Sequence, residues 1–120
     1  MWAVDVLATD IDPSAVKVAA NNARMNGVGA RFTSVVSDGY RNRALKQGQP
    51  FDIIVANILA KPLMRMAKDL AAHLAPDGVA VLSGLLDWQE RMVMGAHEPQ
   101  GLRLRERIVI DGWATLLIGR

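Results

Sequence analysis

Three polar residues stand directly after short apolar runs, at the points where buried strands are predicted to end. They are Asp10, Asp38 and Asn57. In open α/β sheets, ligands bind in the crevice at the carboxyl ends of the strands. Side chains at these three positions are therefore the first candidates for binding or catalysis.

The two aspartates have the chemistry to bind a nucleoside. A carboxylate at Asp10 can accept hydrogen bonds from both hydroxyls of a ribose, as the acidic residue does in dinucleotide sites. The alternative is that Asp10 caps the next helix, but Asp12 followed by Pro13 fits the helix start better, so we favour the ribose role. Asp38 can accept a bond from an adenine amino group or form an ordinary turn with Gly39, and the residues alone favour neither.

Asn57 follows an apolar strand in which nothing else requires an amide. One chemistry that would use such an amide is methyl transfer from a sulfonium, an in-line displacement that needs an uncharged nucleophile with its lone pair aimed at the methyl group. The Asn57 side-chain carbonyl, helped by a neighbouring backbone carbonyl, can accept the hydrogens of a neutral amine and aim it. Asn57 can also cap the following helix, and the two roles are compatible.

Short apolar runs alternate with amphipathic helical patterns along the chain, which indicates βαβ units around a parallel sheet. Strands are predicted over residues 4–9, 31–36, 51–56 and 79–82. Helices are predicted from Pro13 to an Asn26-Gly27 stop, over residues 63–74 before a Pro76-Asp77-Gly78 stop, and from Asp87 to about residue 96. Asp87 and Glu90 are spaced as a capping box for the last of these helices. Residues 41–50 are predicted to form a loop or a short helix.

The last part of the chain has a different pattern. Residues 102–110 and 113–118 are strand-like, and Asp111-Gly112 between them is a strong hairpin signal. A sheet of βαβ units alone would not finish on a hairpin, whereas class I methyltransferases do, because their last strand inserts antiparallel beside its predecessor. The order β-α-β-β-α-β-α followed by a hairpin therefore predicts an α/β, Rossmann-like sheet of the class I methyltransferase type.

Composition excludes several other classes of protein. The chain has 120 residues, 51% of them hydrophobic and 22% charged, which is ordinary for one folded domain. A formal charge of +2 gives no case for a nucleic-acid or membrane surface. There is no cysteine, so disulfides and thiolate metal sites are excluded, and no other metal motif is present. No secretory signal or membrane-spanning run is found, so we expect a soluble, cytoplasmic protein.

Five segments resemble a known family, the ribosomal protein methyltransferase family PrmA. Residues 10–13 and 19–28, Asp-Ile-Asp-Pro and Ala-Ala-Asn-Asn-Ala-Arg-Met-Asn-Gly-Val, resemble its second-strand and helix motif. Residues 51–60, Phe-Asp-Ile-Ile-Val-Ala-Asn-Ile-Leu-Ala, strongly resemble its signature FDLVVANILA. Residues 74–78 and 82–86 resemble its LKPGG and LSGIL segments. The similarity runs along essentially the whole chain, and Asn-Ile-Leu-Ala is its most specific part.

The resemblance implies S-adenosylmethionine as methyl donor and the eleventh large-subunit ribosomal protein as acceptor, on lysine side chains and on the α-amine. Carried over by motif, Asp10 would bind the ribose of the donor, Asp38 would approach the adenine, and Asn57 would touch both the cofactor and the acceptor amine. The cofactor-binding candidates are thus Asp10, Ile11, Asp38, Gly39 and Asn57, and the substrate-binding candidates are Asn57 and Leu59. No direct contact with nucleic acid is expected, and no oligomeric state is implied.

Two family features are absent from this sequence. The family's Gly-x-Gly-x-Gly loop, which lies just before the strand that begins here near Val4, is missing, and so is its amino-terminal substrate-recognition domain. We therefore expect residues 1–120 to form a partial catalytic domain whose sheet lacks its first, central strand and has two unpaired edges. Two alternatives stay open: a class I methyltransferase for another amine, a small molecule or a nucleic acid, and a silent α/β module that associates through its open edges.

Several other residues are given structural interpretations. His73 and His97 have no partners spaced for metal or nucleophilic chemistry, so surface positions are expected for both. Arg103, Arg105 and Arg107 alternate along a strand and are predicted to share one solvated face of the sheet.

Overall fold

The structure, a computed structural model, describes residues 6–10, 13–25, 32–36 and 50–120. These residues fall into two compact units, divided between Gly48 and Gln49. The described elements follow the predicted order, except that one predicted helix is divided into two.

The first unit is a βαβ crossover. Strand β1 (Val6–Asp10) and strand β2 (Phe32–Val36) pair in parallel, and helix α1 (Pro13–Met25) connects them in the chain. Parallel strands need such a crossover because a tight turn can join only antiparallel ones. Helix α1 begins at Pro13 as predicted. The predicted cap Asp12 and the Asn26-Gly27 stop lie outside the described residues.

The second unit is built on a four-stranded sheet of order β3-β4-β6-β5. Its strands are β3 (Phe51–Asn57), β4 (Leu74–Leu86), β5 (Arg103–Ile110) and β6 (Trp113–Gly119). β3 and β4 are parallel, whereas β6 lies between β4 and β5 and is antiparallel to both. The predicted insertion of the last strand beside its predecessor is therefore confirmed.

The hairpin turn between β5 and β6 is also confirmed. Asp111 and Gly112 have φ values of 51° and 81°. Positive φ at both central residues matches the twist of the flanking strands, and Asp-Gly is one of the few pairs that adopt it at low cost.

The core of the second unit lies on one face of its sheet. Ala80 and Leu82 of β4 pair with Ile118 and Leu116 of β6, and each of the four is fully buried. Three helices contribute to the same core: α2 (Ala60–Arg65), α3 (Ala67–His73) and α4 (Glu90–His97). Their buried side chains include Leu63, Leu70 and Val93. Leucines at helical spacing thus meet an alternating strand pattern, as two packed layers require.

The helix predicted over residues 63–74 is present, but it is divided in two. The helical segment is interrupted at Met66, where ψ is 5°, and α3 ends at His73. Leu74 already pairs with Phe51 in the sheet. The Arg120 guanidinium donates to the carbonyl oxygens of Leu74 and Ala75 at 3.0 and 2.9 Å. These contacts hold the first two residues of β4, and the predicted stop Pro76-Asp77-Gly78 lies within that strand.

The predicted capping box of Asp87 and Glu90 was also wrong. The Leu86 backbone N–H donates to the Gln89 side-chain oxygen at 2.8 Å, and Asp87–Gln89 form a 3₁₀ turn before α4. Glu90 instead lies 2.9 Å from Arg107, its Oε1 atom facing the Nε atom across the sheet-helix boundary. The carboxylate therefore forms an ion pair with β5 rather than a helix cap.

The three arginines of β5 do not share one face as predicted. The pairing of β5 with β6 shifts register between Leu104 and Glu106, so Arg105 lies in a bulge. An extra residue in a bulge moves the side chains of the residues that follow it to the other face of the sheet. Arg107 is thereby turned to the helix side, where it meets Glu90, while Arg103 stays on the opposite face.

Both histidines are buried, contrary to the prediction. His73 is 9% exposed and His97 is 0% exposed. Each places its Nδ1 atom 2.7 Å from the carbonyl oxygen four residues earlier, Asp69 for His73 and Val93 for His97. A ring that bonds its own helix in this way has a partner for one nitrogen, so it can be buried at a helix end without a second side chain.

Candidate functional site

Asn57 is the last residue of β3, at the carboxyl end of the strand, and its side chain is exposed. Strand β3 ends there in register with Ser83 of β4. The next residue, Ile58, donates its backbone N–H to the Ser83 carbonyl at 3.1 Å. The loop that follows Asn57 is thus held to the neighbouring strand by a backbone bond.

Asn57 does not cap the following helix, so the capping alternative is wrong. The cap position of α2 is Leu59, which has extended backbone and makes no side-chain cap hydrogen bond. Because the helix starts three residues after Asn57, the amide is not used to satisfy helix N–H groups. Its carboxamide is available at the edge of the sheet where parallel α/β folds bind ligands.

Gly84 lies directly against residues 57–59, which form the Asn57 loop. Its φ is 89°, and a methyl group at this position would lie 2.7 Å from the Ile58 carbonyl oxygen and 2.9 Å from Asn57 Oδ1. Both oxygens therefore lie within 2.9 Å of one point. Both are hydrogen-bond acceptors, the kind of group to which an amine N–H donates.

Exposed apolar side chains surround this end of the sheet. Leu59, predicted as a substrate-binding residue, is 70% exposed, and Trp88, just after β4, is 66% exposed. Trp113 pairs with Leu86 at the same end of β4 and is 54% exposed. Neither tryptophan is among the binding residues predicted from the sequence. The signal for both was their place directly after a strand or a turn at the ligand-binding edge.

The remaining predicted residues belong to the first unit. Asp10 is the last residue of β1, at its carboxyl end, and it pairs in register with Val36, the last residue of β2. Ile11, Asp38 and Gly39 lie outside the described residues, so their predicted roles stay predictions. The structure thus places Asp10 and Asn57 each at the carboxyl end of a parallel strand, in separate units.

None of the helices in the described ranges is both long enough and apolar enough to cross a membrane.

Comparison with known proteins identifies the family of this chain. The family model described as "Ribosomal protein L11 methyltransferase (PrmA)" matches residues 1–120. The chain belongs to this family. The ribosomal protein L11 methyltransferase of Rhizobium johnstonii is 46% identical over 117 residues, which cover 98% of this chain and 40% of that protein. The chain therefore spans about 40% of the length of the curated relatives that it matches.

Solved structures show the same fold. The ribosomal protein L11 methylase of Lactobacillus delbrueckii subsp. bulgaricus superposes with a TM-score of 0.88 at 30% identity, over 98% of this chain and 58% of that one. An RNA methyltransferase from Salinibacter ruber, solved in complex with S-adenosylhomocysteine, has a TM-score of 0.68 at 16% identity, over 94% of this chain and 63% of that one. The predicted class I, Rossmann-like methyltransferase fold is confirmed, and the chain represents part of it.

Proposed function

We propose that this chain supplies the donor-binding and amine-positioning strand ends of an S-adenosylmethionine-dependent methyltransferase acting on amino groups of ribosomal protein L11. The observation that carries the proposal is the Asn57 loop. An exposed carboxamide with no capping role stands beside a backbone carbonyl, and the oxygens of both groups lie against Gly84. Two neutral acceptors in this arrangement suit an uncharged amine that must present its lone pair.

The donor site fits the first unit. The carboxylate-bearing residue Asp10 ends a parallel strand, and its register partner Val36 is followed two residues later by Asp38. Adjacent strand ends of this kind are where α/β folds bind nucleosides. In this proposal Asp10 with Ile11 holds the ribose, and Asp38 with Gly39 approaches the adenine. S-Adenosylmethionine would supply the methyl group as an electrophile.

The protein's own contribution is then to position the acceptor. Asn57 Oδ1 and the Ile58 carbonyl each accept one N–H of the neutral amine, which leaves the lone pair directed away from both oxygens. Leu59 and Trp88, both largely exposed, offer apolar contact area for the polypeptide around that amine. Residues 1–120 act here as a partial catalytic domain, and substrate recognition outside this range adds to it.

The test is an exchange of the matching segment. The L11 methyltransferase of Rhizobium johnstonii would carry residues 1–120 of this chain in place of its own matching part, and methyl transfer to ribosomal protein L11 would be measured. We expect activity, and we expect Asn57→Ala to lower kcat by about 100-fold with little change in donor affinity.

Asp52→Ala is the matched control, because Asp52 is an exposed residue at the opposite end of the same strand. Equal turnover in Asn57→Ala and Asp52→Ala would remove Asn57 from the mechanism. A folded exchange protein that transfers no methyl group to L11 would overturn the proposed function. Transfer to another acceptor alone would favour a methyltransferase of different specificity.

A further inference from the structure

Gly84 is the most tightly constrained glycine beside the Asn57 loop, and no role was assigned to it from the sequence. Real Cβ atoms essentially never lie within 3.0 Å of another heavy atom, yet a Cβ at Gly84 would lie at 2.7 and 2.9 Å from the two acceptor oxygens. The Ile58 carbonyl carbon would be 3.1 Å away. Two of these three neighbours are backbone atoms, which cannot move aside as the end of a flexible side chain would.

The backbone around Gly84 is shaped for this contact. Its φ of 89° favours glycine, and the pairing of β4 with β6 shifts register between Leu82 and Leu85. Such irregularities bend a strand and re-aim its neighbours, and they are frequent next to active sites. At the same place the Ser83 carbonyl accepts the Ile58 N–H at 3.1 Å. The Ser83 carbonyl thus holds the Asn57 loop by a hydrogen bond, and the lack of a side chain at Gly84 leaves room for the loop.

We propose that Gly84 is a positioning residue for methyl transfer. Its lack of a side chain sets the places of Asn57 Oδ1 and the Ile58 carbonyl oxygen, and thereby the direction of the acceptor amine. This inference rests on the proposed function, since it is the amine that makes the two oxygens matter. Any side chain at position 84 would push the loop outward, stretch the Ile58–Ser83 bond and separate the two acceptors.

The chain offers a close control. Gly101 has φ 84°, and a Cβ there would meet nothing within 4 Å. Gly84→Ala and Gly101→Ala therefore carry similar backbone strain, and only the former adds a collision with the loop. Leu85→Ala is a second control, because it removes a fully buried side chain next to Gly84 without adding an atom near Ile58.

The first experiment measures amide hydrogen exchange by NMR on the 120-residue chain. We expect Gly84→Ala to lower the protection of the Ile58 amide by about 10-fold or more, as loss of its hydrogen bond implies, while Gly101→Ala leaves it unchanged. If Gly84→Ala fails to fold, the unsubstituted chain still provides a test. It should show through-space contacts from the Gly84 α-protons to the Asn57 side chain, and their absence would overturn the inference.

The second experiment measures turnover on ribosomal protein L11 in the exchange protein described above. Gly84→Ala should lower kcat by about 10-fold or more, with the dissociation constant for S-adenosylhomocysteine changed by less than about 3-fold. Gly101→Ala and Leu85→Ala should retain most of the turnover once folded. Activity in the unsubstituted protein with equal turnover in Gly84→Ala and Gly101→Ala would overturn the role of Gly84 alone. Inactivity of the unsubstituted protein would overturn the proposed function instead.

Discussion

Asp10 shows how much a single residue's place in a strand contributes to its interpretation. Its type made it a candidate ribose ligand, and its position at the carboxyl end of β1, paired with the end of β2, fits that role. Asn57 gained more from the structure, because the helix cap at Leu59 removed its main alternative. At this scale the structure decides between roles that the residue type leaves open.

Asp10→Ala tests the ribose assignment. Losing the hydrogen bonds to both ribose hydroxyls should weaken donor binding by about 1–3 kcal/mol. Calorimetric titration of the exchange protein with S-adenosylhomocysteine measures this directly. Asp77→Ala, which alters an exposed carboxylate at a distance from the carboxyl ends of the strands, serves as control. Unchanged affinity in Asp10→Ala would show that another group holds the ribose.

The burial of His97 leads us to expect that stability depends on pH. Burial lowers the pKa of His97 below its ordinary value of 6.5, and the bond to the Val93 carbonyl opposes this only in part. That carbonyl can only accept, so Nδ1 carries the proton, and the Nε2 atom is buried without a hydrogen-bond partner among the described residues. Unfolding restores the ordinary pKa, so the unfolded chain takes up a proton first as the pH falls.

The free energy of unfolding should therefore decrease as the pH is lowered through 6.5 toward the lower pKa of the folded state. Urea denaturation at a series of pH values measures this slope. In His97→Asn the amide can still donate to Val93 but does not titrate, so the slope in this window should be reduced. The same slope in both proteins would assign it to other groups.

At the scale of elements, two glycines differ in how the lack of a side chain affects stability. Gly95 is an exposed residue within α4, and a Cβ there would meet nothing within 4 Å. Gly112 has equally open surroundings but a φ of 81° in the hairpin turn. Glycine within a helix is unfavourable because it loses more conformational entropy on folding than alanine does. Glycine in this turn is favoured because alanine is strained at positive φ.

The two alanine substitutions should therefore change stability in opposite directions. Gly95→Ala is expected to raise the free energy of unfolding by about 0.5–1 kcal/mol. Gly112→Ala is expected to lower it by about 1–2 kcal/mol. Parallel urea denaturation curves measure both. A destabilised Gly95→Ala would mean that α4 is not helical at this position in solution.

At the scale of the whole molecule, the sheet of the second unit has one buried face and one exposed apolar face. Register places several exposed apolar residues on the face opposite the core: Ile53, Val55, Ile108, Ile110 and Trp113. Among the described residues, β3 also has a strand neighbour on one side only. An apolar face beside an open strand edge favours association.

We expect the isolated chain to associate with increasing concentration, as sedimentation velocity can measure. Replacing Val55 and Ile108, which are 68% and 53% exposed, with threonine, which is also β-branched but polar, should reduce this association without unfolding the chain. Val18→Thr is the control, because Val18 is 57% exposed on α1 and not part of this face. Equal association of both variants would mean that another surface is responsible.

The sequence by itself determined the family, the order of strands and helices, and the places where strands end. These features depend on local patterns: the apolar run before Asn57, Pro13 at a helix start, and Asp111-Gly112 in a turn with two positive φ values. Local backbone preferences and side-chain periodicity specify them without reference to distant residues. The predictions for the Asn57 strand and the terminal hairpin were confirmed for this reason.

Only the tertiary structure decided what depends on contacts between distant residues. The first residues of β4, Leu74 and Ala75, are held by Arg120, which is far along the chain from them. The face on which Arg107 lies depends on the bulge at Arg105. The burial of His97 depends on the packing of α4. The role inferred for Gly84 has the same origin. A glycine after a strand is common, and only the approach of the Asn57 loop shows why a side chain cannot fit there.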